Sequence, residues 1–281
     1  GQPVLRGTIP LTDEEYLELS KGEDNSNNFV QKEEEKYVDT YYSLWSASGL
    51  AAVWAEENTR ESIFSALRRK ETYATSGNRI RLRFFGGFDL DDLSLNSEGL
   101  IKEAYKRAVP MGSDLIAKED KPPSFLIWAQ KDQRTTSLQR LQIIKGWTDT
   151  SDGSTHEKIY DVACSDNLKV NSQTHRCPDN GAKVNLTDCS VSNLGATELK
   201  TVWTDPEFNS KEDAFYYVRV LENPSCRWTA WDAVNNGRKP RADLNLITQD
   251  RAWSSPIWYV PSSTSTADWI GNYDPAEDSS H

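Results

Sequence analysis

The stretch Gly49–Arg83, GLAAVWAEENTRESIFSALRRKETYATSGNRIRLR, constrains this chain most, because it reads as strand, capped helix, tight turn and strand without a gap. Gly49–Trp54 is a short apolar run, suited to a strand and too short for a core helix. Asn58 stands three residues before Glu61, the spacing at which an N-cap side chain and an N3 carboxylate satisfy each other's free backbone donors. A helix is therefore expected to start at Asn58. Ile63, Phe64, Ala66 and Leu67 then share one helical face, while Arg60, Glu61, Arg68 and Lys70 take the other, so one side of the helix should pack inward. Tyr73-Ala74-Thr75-Ser76-Gly77 breaks the helical period as a turn. Ile80, Leu82 and Phe84 alternate with Arg79, Arg81 and Arg83, the pattern of a half-buried strand that Gly86-Gly87 ends.

The rest reads mainly as β structure. After an acidic connector, FDLDDLSLNSEG, the segment Leu100–Val109 fits an amphipathic helix and a strand equally well. PPSFLIWAQKD, LQRLQIIKGW, KIYDVACS, ELKTVWTDP, AFYYVRVLE and SSPIWYV are short strands separated by polar turns. Trp 10 and Tyr 11 against Met 1 suit sheet surfaces and half-wet interfaces. The fold class expected is α+β, with residues 49–90 as an α/β unit and residues 91–262 as a mainly antiparallel β-sandwich. Residues 1–48, with SKGEDNSNNF and QKEEEK, read as a polar wrapping arm that includes a short helix capped by Thr12. Residues 263–281 read as a loose tail with Trp269 and Ile270 as its apolar anchors.

Charge and cysteine usage narrow the function classes. A formal charge of -11 argues against a non-specific nucleic-acid binder. No apolar run approaches the roughly 18 residues that cross a bilayer as a helix, so no membrane span is expected. Cys164, Cys177, Cys189 and Cys226 lie in or near a loop rich in Asn, Asp, Ser and Gly, which points to two disulfides and a periplasmic or secreted location. Cys177 with Cys189 and Cys164 with Cys226 is the favoured pairing, since each would tie a local loop or two strand ends. A zinc site is the weaker reading, because no CxxC pair exists. His156, His175 and His281 do not pair with one another or with carboxylates at HxH or HExxH spacing, so no metal ligands are expected in this chain alone.

Two polar clusters remain as candidate substrate contacts. Glu56, Glu57, Asn58 and Arg60 sit where a strand gives way to a helix, where free backbone donors and a guanidinium can receive an anion. Tyr73, Thr75, Ser76, Asn78 and Arg79 form the second, in the turn after the helix, with Tyr73, Ser76 and Arg79 as the candidate contacts. Helix capping with an ion pair is the plainer account of the first, and turn chemistry of the second. The catalytic residues stay unassigned.

GLAAVWAEENTRESIFSALRRKETYATSGNRIRLRFFGG, RLQIIKGW, YDVACS, HRCPDNGAKVNLTDCS, AFYYVRVLENPSCRW and RAWSSPIWY together resemble domain-of-unknown-function family 3604, from about Gly49 to Tyr259. That family is related to the PHP (polymerase and histidinol phosphatase) metal-dependent hydrolases. The resemblance implies an exported bacterial protein with a distorted PHP-type barrel followed by a β-sandwich. The family's HxH-type histidines and acidic ligands lie mostly before AEENTRE, and residues 1–48 supply none of them. The chain is thus similar to the C-terminal part of such a protein, with residues 49–90 as the closing strand-helix-strand unit of the barrel. Its partner would be an N-terminal barrel half, from the same precursor or a separate chain. The complete protein would hold a divalent metal (Zn, Mn or Fe) and hydrolyse a small phosphorylated substrate. The alternative is a non-catalytic extracytoplasmic binding or assembly module with a Trp- and Tyr-bearing contact surface.

Overall fold

The computed structural model describes residues 28–32, 35–39, 45, 48–118, 120–240 and 244–262. The helix expected at Thr12, most of the 1–48 arm, His281 and the 263–281 tail lie outside the described residues. Within the arm, β1 (Asn28–Lys32) and β2 (Glu35–Asp39) pair antiparallel as a separate two-stranded sheet.

The stretch singled out above forms β3 (Leu50–Val53), α1 (Arg60–Arg68), β4 (Thr72–Thr75) and the start of β5 (Arg81–Gly87). Thr59, not Asn58, is the N-cap, its hydroxyl accepting from Ser62 N at 3.3 Å. Ser62 Oγ accepts from Glu57 N at 3.1 Å, so a serine completes the reciprocal cap expected of Glu61. The helix ends in a left-handed stop. Lys70 has φ 58, its N–H bonds Leu67 O, and Glu71 N bonds Ala66 O. This reversal delivers Glu71 to the interior.

The inward face of α1 is narrower than expected. Ala66 is fully buried, but Phe64 and Leu67 are 57% and 50% exposed. Ile63 and Ala66, three apart, form the inward stripe, and Phe64 and Leu67 lie on the next stripe round the helix. Tyr73 and Thr75 belong to a strand, not a turn: they are buried while Thr72 and Ala74 are not, and the turn is confined to Ser76–Asn78. Thr75 Oγ1 accepts from Gly77 N and donates to Asn78 O, closing it.

The strand-helix-strand order is present, but β3 and β4 pair antiparallel, not through a parallel crossover, and β4 and β5 enter different sheets. No barrel forms among the described residues. The remaining elements are α2 (Leu100–Arg107), β6 (Ala108–Pro110), β7 (Asp114–Ile116), β8 (Ser124–Gln130), β9 (Leu138–Thr148), β10 (Thr155–Cys164), β11 (Glu198–Thr204), β12 (Ala214–Glu222), β13 (Ser225–Cys226), α3 (Trp228–Asn235), β14 (Ile247–Thr248), β15 (Arg251–Ser254) and β16 (Ile257–Val260). Leu100–Val109 thus resolves as helix first and strand second.

The large sheet runs β10-β9-β12-β15-β4-β3, with β16 beside β12 and β7 parallel to β16. The small sheet runs β11-β8-β5-β6 and is antiparallel throughout. Leu82, Phe84, Phe125 and Ile127 of the small sheet meet Leu141, Ile143, Tyr216 and Val218 of the large one in a single core. The chain is therefore mostly β, in antiparallel layers, as the strand pattern predicted. On the outer side of the small sheet, Leu100 and Ala104 of α2 pack on Phe85 and Leu126.

Two disulfides form, but in a different pairing from the one favoured: Cys164–Cys177 and Cys189–Cys226. The favoured pairing fails because the chain turns back at Asn171, whose side chain accepts from Gln173 N and Thr174 N. Asp161 N then bonds His175 O, and Cys177 N bonds Asp161 Oδ2, so the returning segment lies along β10 beside Cys164. Cys189 is left for Cys226, and both pack on Ala230 of α3. α3 was not expected from sequence, since WTAWDAVN has no side-chain cap, no acidic residue in its first turn and no basic residue in its last.

Candidate functional site

A cleft of about 530 Å³ opens where β3 ends, lined by Trp54, Glu56, Arg69, Glu71, Arg83 and Tyr105 among others. Trp54 is fixed by Nε1 donating to Leu82 O at 2.7 Å. The Arg83 guanidinium carbon lies 3.3 Å from the Trp54 ring centroid, and Nη1 donates to Tyr105 OH at 2.8 Å. Tyr105 OH donates to Glu71 Oε1. Glu71 also faces Arg83 at 3.6 Å and Arg69 at 3.5 Å. Burial, reinforced by donation to the Glu71 carboxylate, pushes the Tyr105 phenol up to about 12. Glu71 is shared among two guanidinium groups and a phenol, and the cluster locks α1, α2 and β5 together.

The structure divides the sequence-predicted residues. Glu56 lines this cleft. Glu57, Asn58 and Arg60 are exposed around the helix start. Tyr73 lies in the core, where burial raises its pKa. Ser76 Oγ donates to Asp250 Oδ1 at 2.7 Å, and Arg79 N donates to Asp132 Oδ2 at 2.8 Å.

Those two aspartates flank a carboxyl that sequence reasoning missed. Glu222, 1% exposed, accepts from Thr135 Oγ1 at 2.7 Å and Thr136 Oγ1 at 3.3 Å. Burial pushes it up to about 7, and the charges of Asp250 and Asp132 add to the shift while the hydroxyl donors oppose it. Lys145 and Asp205 were also missed. Their side chains, 3% and 0% exposed, pair at 2.6 Å inside the sandwich, and Tyr216 OH donates to Asp205 Oδ2. The charged member of an inward alternation, IIKGW, was the available signal.

The histidines are not gathered. His156 stacks on Trp147 with ring centroids 5.2 Å apart, and His175 lies against Tyr160. Among the described residues no group of three His, Cys, Asp or Glu side chains is placed to hold a metal ion.

A second cleft, of about 740 Å³, crosses the outer face of the large sheet, with Trp258, Phe215 and Gly146 on its floor and Lys70, Asp114, Glu157 and Asp213 on its borders. Phe215 and Trp258 pack at 5.2 Å between centroids, and Phe215 and Tyr217 at 6.4 Å. The Phe215 ring lies over Gly146: a Cβ at that position would sit 2.3 Å from Phe215 Cζ, so a side chain there would displace the ring. Asp114, Glu157 and Asp213 are exposed and make no side-chain hydrogen bond or ion pair among the described residues. These carboxylates are available to a ligand.

Together these features define a disulfide-stapled, mainly antiparallel β protein with an aromatic cleft on its outer sheet face. No helix among the described residues is long and apolar enough to cross a membrane. The chain belongs to the family described as "Protein of unknown function (DUF3604)", which matches residues 9–261. No curated protein and no solved structure matches it.

Proposed function

We propose that this chain is the recognition part of an extracytoplasmic protein and holds a ligand on the outer face of its large sheet. The observation that carries this reading is the contrast between the clefts. At the Trp54–Tyr105 cleft Glu71, Arg83 and Tyr105 are engaged with one another, whereas the Phe215–Trp258 cleft combines an apolar floor with three carboxylates that make no side-chain hydrogen bond or ion pair among the described residues. Two disulfides fit an oxidising compartment. Equilibrium binding of a panel of small molecules and oligosaccharides to the chain and to Trp258→Ala tests it. A ligand lost on substitution is expected; a panel that binds both proteins equally contradicts the reading.

A second reading is favoured by the edge of β3, which among the described residues pairs with β4 alone, with Leu50 43% exposed and Phe64 and Leu67 outward on α1. An unpaired strand beside exposed apolar side chains is a place for further chain to join. On this reading the chain is the C-terminal part of a PHP-like divalent-metal hydrolase, a phosphoesterase. Zn, Mn or Fe would be held by the preceding part, and Glu56 and Arg69 would face the substrate from the rim. Metal analysis and phosphatase assays on the longer protein and on this chain test it: a metal-free, inactive longer protein removes the hydrolase.

A further inference from the structure

The outer cleft has an order that the strand registers make explicit. β7, β16, β12, β9 and β10 lie side by side, aligning Asp114 with Trp258, Trp258 with Phe215, Phe215 with Gly146, and Gly146 with Glu157. Ala214 and Tyr216 point into the core, so Phe215 and the residues level with it point outward. With neighbouring strands about 4.8 Å apart, the row extends roughly 19 Å across the sheet. It reads carboxylate, indole, phenyl, a glycine buried beneath that phenyl ring, and carboxylate. Ile116 and Val260 extend the apolar strip one step further along β7 and β16.

This arrangement selects a ligand by shape and charge. The two outward rings, Trp258 and Phe215, lie side by side on neighbouring strands, which suits an extended ligand better than a compact cation in an aromatic cage. The two end carboxylates accept hydrogen bonds from hydroxyl groups, and bonds to charged acceptors are the strong ones. With the chain's net charge of -11, they also repel phosphates, sulfates and uronates. We propose that this row binds a neutral polyhydroxylated chain, a polysaccharide laid across the strands. Its apolar C–H faces rest on Trp258 and Phe215, and its hydroxyl groups donate to Asp114 and Glu157. The inference rests on the reading of this cleft as the recognition site.

Native gels cast with galactomannan, hydroxyethyl cellulose, laminarin or alginate give the test. Retardation is expected in at least one neutral gel and not in alginate. Trp258→Ala should abolish it. Asp114→Asn and Glu157→Gln, at exposed positions where the fold does not depend on the charge, should each weaken binding about ten-fold. Circular dichroism of each variant separates lost binding from lost folding. Retention by alginate, or no effect of either carboxylate substitution, overturns the proposal. Should tetramethylammonium perturb the tryptophan fluorescence while no neutral gel retards the chain, the recognition reading stands and the neutral-chain assignment falls. If neither polysaccharide nor ammonium engages the cleft, both fall.

Discussion

Glu222→Gln isolates the most strongly perturbed carboxyl of the fold. Glu222 is 1% exposed and held by Thr135 and Thr136, and its pKa rises from 4.5 to about 7, with burial as the largest cause. A carboxyl whose folded pKa is raised binds its proton more tightly in the native state. Its contribution to stability is fully present below the unfolded value and is lost as pH rises through the folded one. At about 1.36 kcal/mol per unit, the loss from acid to alkaline pH is roughly 3 kcal/mol. Glutamine keeps the shape and cannot ionise. Urea unfolding of both proteins between about pH 4 and pH 9 should therefore show the variant gaining roughly 3 kcal/mol relative to the parent, most of it between the two pKa values. Any constant offset from re-paired amide hydrogen bonds cancels in that comparison. A stability difference that does not change with pH would refute the reasoning.

Three further outcomes follow from the packing. Thr59→Ala should destabilise by about 1 kcal/mol while Asn58→Ala costs little, because the cap is the threonine hydroxyl; thermal unfolding of both variants checks it. Lys145→Met removes the ion-pair partner of Asp205 in the core and should cost about 3–5 kcal/mol by chemical denaturation. Peptide mapping of unreduced protein should recover Cys164 linked to Cys177 and Cys189 linked to Cys226, and opening either loop should cost about 3 kcal/mol.

Alternation and run length made the sheets legible. Ile80, Leu82 and Phe84 are buried as their spacing requires, and the strand segments quoted from sequence all form strands. What stayed hidden depended on partners far along the chain. Tyr73–Gly77 looks like a turn until β15 pairs with its first three residues, and the disulfide pairing follows from a turn at Asn171 that local composition does not reveal. Asn58 and Thr59 are both competent caps, and only the backbone decides between them. The candidate site was less legible. Of the residues chosen for chemistry, only Glu56 reaches a cleft, because a polar residue beside a helix start satisfies capping as readily as it satisfies a ligand. The outer row was visible only as scattered aromatics, since Asp114, Gly146, Glu157, Phe215 and Trp258 become neighbours through register alone.

Amide chemical-shift mapping of the isotopically labelled chain, titrated with soluble neutral oligosaccharides, tests the recognition role most directly. The account predicts shifts confined to the row through Asp114, Trp258, Phe215, Gly146 and Glu157 and the strands beside it. Shifts centred on Trp54, Glu56 and Tyr105, or none anywhere, would contradict it.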